Sequence, residues 1–193
     1  MSQDPTKATY GERAVFPLWD ATPATVRDFV TNTLAAAAST GGVPIWTLPE
    51  PKSATARELR LRRMALLFLL GLPGEVVLDI DAERILQQER QDTPYSVDEI
   101  IQRALDRRVH RGPVTSVSAL RDRDAGGRLN SPGYVVMRAP GSGELNVANL
   151  SSEPLPLPDG TIVLASDDPA GPFDPTSDND MLPGLTTIWF APK

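Results

Sequence analysis

The sequence predicts an α+β chain, a helix–strand layer followed by a small antiparallel β-sandwich. Three observations carry that prediction. Apolar residues recur at helical spacing in the first half, most densely in Arg57 to Leu70. Between those stretches lie short apolar, β-branched segments, Val43 to Leu48 and Glu75 to Leu78. From Val114 onward the pattern changes to short strands separated by Gly-, Asp- and Pro-rich turns. The expected organisation is a helix-rich α/β segment over 1–112 and an antiparallel sandwich over 113–193.

Residues 1–21 are polar until Ala14-Val-Phe-Pro-Leu-Trp19, which reads as an extended arm packing on the body or as a partner contact. Thr22-Pro23 opens the first helix, a capping hydroxyl followed by Pro at the first helical position. Val26, Phe29, Val30, Leu34 and Ala37 form its apolar face, and Gly41-Gly42 closes it. The Ala35–Ala38 run suggests a close approach to a neighbouring element. Val43 to Leu48 is a strand with Pro44 near its start, stopped by Pro49-Glu-Pro51.

Ser53 is the expected cap of the next helix, which is apolar all round at Met64-Ala-Leu-Leu-Phe-Leu-Leu70 and so has to be covered on most sides. Gly71-Leu-Pro-Gly74 ends it, with Gly suited to a left-handed cap and Pro unable to continue the helix. The strand Glu75 to Leu78 follows. The charged run after it reads as a turn and a short helix. Ser96-Val-Asp-Glu99 reads as a capping box opening a helix with Val97, Ile100, Ile101, Ala104, Leu105 and Val109 on one face. The remaining strands are expected at Val114–Leu120, Tyr134–Ala139, Glu144–Leu150, Thr161–Ala165 and Thr186–Phe190, with Phe173 to Pro183 an acidic loop.

Composition narrows the function classes. The 193 residues are 40% hydrophobic and 23% charged, ordinary globular values that allow roughly 70% of the unfolded surface to be buried. A net charge of −6 argues against nucleic acid or an anionic membrane as the main partner. No cysteine is present, so disulfides and thiolate metal sites are excluded. Neither a signal peptide nor an apolar run near the ~20 residues of a membrane span is visible, so a cytoplasmic protein is expected.

Several stretches together resemble bacterial α-glucosidases of the α-amylase superfamily, particularly the actinobacterial type. Asn32-Thr-Leu-Ala-Ala-Ala-Ala followed by Pro44-Ile-Trp-Thr-Leu48 looks like the helix leading into that family's seventh barrel strand. Arg57 to Gly74 looks like the helix before the eighth strand, and Glu89-Arg-Gln-Asp92 like the region after it. Asn146 to Pro158, Thr161-Ile-Val-Leu-Ala-Ser166 and Leu182 to Trp189 look like its C-terminal β-sandwich. The resemblance covers most of 25–92 and 134–191 and implies the last quarter of a (β/α)8 barrel, a barrel remnant, with its sandwich. A whole barrel takes ~250 residues.

The family's chemistry does not carry over. Pro49-Glu-Pro-Lys52 stands where its Asn-His-Asp motif is expected, and Ile80-Asp-Ala-Glu83 where its Gln-Gly-Glu-Glu motif is expected. The implied reading is a pseudoenzyme: no catalytic residue, cofactor or metal, acting through a protein partner or as a homo-oligomer. The alternative is an α-glucan-binding module. Trp19, Trp46, Trp189 and Tyr134 are its candidate stacking platforms, with Trp46 and Trp189, in expected strands, read as core before ligand contacts. Asp79, Asp81 and Glu83 are candidate binding carboxylates at a strand end, or the centre of a new chemistry needing two carboxylates about 5 Å apart. Against this stands a solvated turn whose charges favour a helix N-terminus. Asp174, Asp178 and Asp180 read as a surface loop before a cation site, and His110 as a helix C-terminal cation before a catalytic base. Asn149-Leu-Ser151 matches a glycosylation sequon and is read as a chance match.

Overall fold

The computed structural model describes residues 10–53, 55–79, 97–111, 134–138, 143–157, 160–166 and 181–192. It is mixed α and β, with a parallel and an antiparallel sheet. The first layer alternates strand and helix: β1 (Tyr10–Val15), α1 (Pro23–Thr40), β2 (Val43–Thr47), α2 (Ala56–Leu70) and β3 (Glu75–Val77). Then come α3 (Val97–Arg111) and the strands β4 (Tyr134–Arg138), β5 (Leu145–Asn149), β6 (Leu155–Pro156), β7 (Gly160–Ala165), β8 (Met181–Leu182) and β9 (Thr186–Pro192).

Helix α1 starts as its sequence dictates. The Thr22 hydroxyl accepts from the Thr25 amide at 3.1 Å, and the Thr25 hydroxyl accepts from the Thr22 amide at 2.8 Å. Gly41 closes the helix in the left-handed region at φ 66°, which favours glycine. Val26 and Val30 are buried, whereas Ala35, Ala36 and Ala38 are exposed and only Ala37 of the alanine run is half-buried. Helix α2 is capped by Thr55, whose hydroxyl accepts from the Glu58 amide, not by Ser53. Ser53 instead donates to the Glu58 carboxylate at 2.5 Å. Gly71 ends α2 with a right-handed φ of −82°, so the expected left-handed cap is absent. Glycine is needed there because a Cβ would meet the Asn146 amide nitrogen at 2.1 Å.

The parallel sheet has the order β1–β2–β3. The segment expected to be an arm is therefore partly a strand, since β1 pairs with β2 and covers one of its edges. The antiparallel sheet has the order β4–β5–β9–β7, and β6 pairs with β8 in a separate two-stranded ribbon. Met181 and Leu182, expected in the acidic loop, form a strand of that ribbon. The expected strand Val114–Leu120 lies outside the described residues.

Helix α2 is the centre of the molecule. Every residue from Leu61 to Leu72 is buried. Met64, Phe68 and Leu69 pack with Phe16, Val30 and Trp46 in one core cluster that also takes in Val135, Ala148 and Leu185. Leu66, Leu67 and Leu70 pack with Ile100 and Ala104 of α3 and with Leu164 and Trp189. Residues before and after position 112 thus share the same cores. Leu105, expected on the buried face of α3, is 42% exposed. The far face of the antiparallel sheet packs Val147, Ile188 and Phe190 against Leu182 and Leu157 of the ribbon region.

Candidate functional site

Two places follow from this scaffold. The first is the C-terminal end of the parallel strands, where open α/β sheets place ligands. After β1 a short 3-10 turn, Leu18–Asp20, presents Trp19 half-buried. After β2 comes the Pro49–Ser53 loop, which α2 fixes from below. The Glu58 carboxylate, itself 4% exposed, accepts the Lys52 amide at 2.7 Å and the Ser53 hydroxyl. The buried Arg62 guanidinium donates to the Pro49 carbonyl at 2.8 Å. These contacts hold the ammonium of Lys52 over the Trp19 ring, 4.5 Å from its centroid.

The candidate residues are distributed unevenly over this site. Asp79 is exposed just beyond the end of β3. Asp81 and Glu83 lie outside the described residues, as do Asp174, Asp178 and Asp180 and the side chain of His110. Trp46 is fully buried, with its ring 5.7 Å from that of Phe29 and its indole N–H donating to the Pro73 carbonyl at 2.7 Å. It has no face open to a ligand. Trp189 is fully buried as well. Asn149 is also buried: its amide nitrogen lies 2.8 to 3.1 Å from the Glu153, Leu182 and Pro183 carbonyls, and its Oδ1 accepts from the Ser151 amide. A sequon asparagine so engaged cannot carry a glycan in the folded chain. Among the described residues no three His, Asp or Glu side chains are grouped to hold a metal ion.

The second place is the face of the parallel sheet turned away from the helices. Register puts Ala14, Trp46 and Val76 in one row, and all three face the α1–α2 core. The neighbouring rows, Arg13–Ile45–Glu75 and Val15–Thr47–Val77, therefore point the other way. Val15 is 52% exposed, and Val43, on the same face of β2, is 42% exposed. Val15, Val43, Ile45 and Val77 belong to none of the apolar clusters among the described residues. The sequence signalled little of this, because an apolar β-branched strand has the same appearance whether one face or both are covered.

Beyond the sheet, the Arg108 guanidinium donates to the Gly74 carbonyl at 2.5 Å, and burial lowers its pKa. Arg107 forms an ion pair with the buried Glu144, its Nε donating to Oε1 at 3.1 Å. These contacts tie α3 to the turn before β3 and to the residue before β5. No described helix is long and apolar enough to cross a membrane.

No protein-family model matches the chain, and no curated protein matches it. Neither comparison links it to the α-glucosidases, so that likeness stands on the residues quoted for it.

Proposed function

We propose that this chain is a non-catalytic protein working through protein contacts, as an accessory or structural subunit of a larger complex or of a homo-oligomer. The observation that carries the reading is the pair of exposed valines, Val15 on β1 and Val43 on β2, on the face of β1–β2–β3 turned away from α1 and α2, where Ile45 is buried. Parallel sheets are normally covered on both faces, and here α1 and α2 cover one face while Val15 and Val43 stand open on the other. Descent from the C-terminal part of an α-glucosidase fits the same geometry. Parallel strands adjacent in chain order, with their helices on one face, are the repeating unit of a (β/α)8 barrel. In such a remnant the face turned away from the helices would be the former barrel interior.

The loop in place of the family's Asn-His-Asp motif supports a scaffold role, since Glu58 and Arg62 spend their polar groups on its backbone. The glucan-binding reading draws less support: Trp46 and Trp189 are buried, and Lys52 covers one face of Trp19.

Gel filtration with light scattering, combined with affinity capture from the native host, tests the proposal. The expected result is a self-assembly or a stoichiometric complex that Val15→Asp with Val77→Asp abolishes. A monomer that captures nothing overturns it.

A further inference from the structure

The loop at the C-terminal edge of the parallel sheet is held more firmly than a solvated turn requires. Glu58 and Arg62, one turn apart on α2 and only 4% and 3% exposed, both direct their charges at its backbone. Burying a charge is unfavourable unless hydrogen bonds satisfy it, so two such groups committed to one loop fix its course. What they fix is Lys52, whose main-chain amide donates to Glu58 at 2.7 Å. The Lys52 side chain itself is exposed, and among the described residues no carboxylate pairs with its ammonium. The charge rests instead 4.5 Å from the centre of the Trp19 ring. Trp19 is only partly exposed and packs against the α1–α2 core.

A cation over a ring at the surface gains a factor of only about two to five, so Lys52 is easily displaced. Three exposed carboxylates share this edge, because Asp20 follows β1, Glu50 follows β2 and Asp79 follows β3. They favour a second cation approaching the edge and disfavour an anion. A guanidinium is planar and less strongly hydrated than an ammonium, and so stacks on an indole better than Lys52 does.

We infer that Trp19 is a docking point for an arginine side chain of a partner protein, and that Lys52 is the internal placeholder this arginine displaces. The inference rests on the protein-contact reading above and names the chemistry of the contact. The partner presents a basic segment: one arginine takes the ring, and neighbouring cations meet Asp20, Glu50 and Asp79. Lys52 swings into solvent on its flexible stem while Glu58 and Arg62 keep the loop backbone in place. The site is thus formed before the partner arrives, which keeps the ordering cost of binding low.

The test is calorimetric titration of the whole chain with short peptides in which serine alternates with arginine, lysine or glutamate. The arginine peptide is expected to bind, the lysine peptide more weakly and the glutamate peptide not at all. Affinity for the arginine peptide falls as salt rises from about 50 to about 500 mM. Lys52→Ala, a change at an exposed side chain, decides the matter: with the placeholder gone, the arginine peptide binds roughly two- to fivefold tighter. That gain exceeds the one seen in a Trp19→Leu background, where only the lost positive charge acts. Trp19→Leu keeps an apolar side chain against the core and removes the preference for arginine over lysine. If Lys52 were itself the ligand contact, Lys52→Ala would weaken binding, and that result overturns the inference. So does an arginine peptide that fails to bind, or one that binds the Trp19→Leu variant as well as the unaltered chain. A self-assembly or stoichiometric complex that both substitutions leave intact keeps the protein-contact reading and removes this docking point.

Discussion

Trp189 donates its indole N–H to the carbonyl oxygen of Leu67 at 3.2 Å, joining the last strand to the last turn of α2. That carbonyl belongs to the group a helix leaves unsatisfied at its C-terminus. The Gly71 amide, its usual partner four residues on, bonds to Phe68 instead. Two neighbours do similar work: the Thr187 hydroxyl donates to the Met64 carbonyl at 2.9 Å and the Asn146 amide to the Phe68 carbonyl at 3.1 Å. The antiparallel sheet thus reads the backbone of α2 as well as its side chains, and fixes the helix in both rotation and translation.

Trp189→Phe keeps most of the buried ring and leaves the Leu67 carbonyl without that donor. The expected loss is about 1–3 kcal/mol of folding stability, the cost of an unsatisfied buried polar group. Urea titration followed by far-ultraviolet circular dichroism measures it, and an unchanged midpoint would show the bond to be dispensable.

Gly71→Ala places a methyl group on the Asn146 amide nitrogen, 2.1 Å away, while the backbone at φ −82° suits any residue. The cost is therefore steric, about 1–3 kcal/mol. In an Asn146→Ala background the obstacle is gone and the same substitution is expected to cost under about 0.5 kcal/mol, a coupling read from a double-mutant cycle. Gly74→Ala behaves differently. It is strained at φ 108° and meets the Pro44 carbonyl at 2.3 Å, so no single side-chain removal rescues it.

Glu58→Ala removes the acceptor of the Lys52 amide and the Ser53 hydroxyl. Destabilisation of about 1–3 kcal/mol is expected. The sharper readout is local: the 49–53 loop should become the first site of limited proteolysis, and Trp19 fluorescence should shift as Lys52 leaves its ring. Equal cleavage rates in the two proteins would contradict the pinning role.

Asn149→Asp exchanges an amide donor for a carboxylate facing three carbonyl oxygens at a fully buried site. About 3–5 kcal/mol of stability should be lost at neutral pH, because among the described residues the side chain at 149 meets carbonyls and Ser151 and no cation. Asn149→Ala loses less. The comparison by thermal melting at pH 7 and pH 4 separates charge from packing, since protonation at the lower pH narrows the gap between the two variants.

Much of the local structure was legible in the chain. Thr22-Pro23 and Gly41 bracket α1 because capping hydroxyls, Pro and Gly act through neighbours a few residues away. The uniformly apolar run Met64 to Leu70 announced a helix covered on all sides, and the alternating strands around Val147, Leu164 and Ile188 announced a sheet. Of the candidate site, only the location of the strand ends could be read. Trp19 and Trp46 are the same residue type in similar apolar settings. Their different fates, one under Lys52 and the other against Phe29, depend on contacts from other elements.

By itself, then, the sequence determined the helices α1 and α2 and the strands β2–β5, β7 and β9, and most of the residues apolar enough to be buried in them. Tertiary structure decided the rest. β1 is a strand because β2 offers it a parallel edge, a pairing across an intervening helix that no local period encodes. Gly71 is glycine because Asn146, 75 positions further along the chain, comes to rest against it. The row Arg13–Ile45–Glu75 exists only once β1, β2 and β3 are in register. Short-range signals act through backbone geometry within a turn or two, whereas these relationships arise only when distant segments compete for the same space.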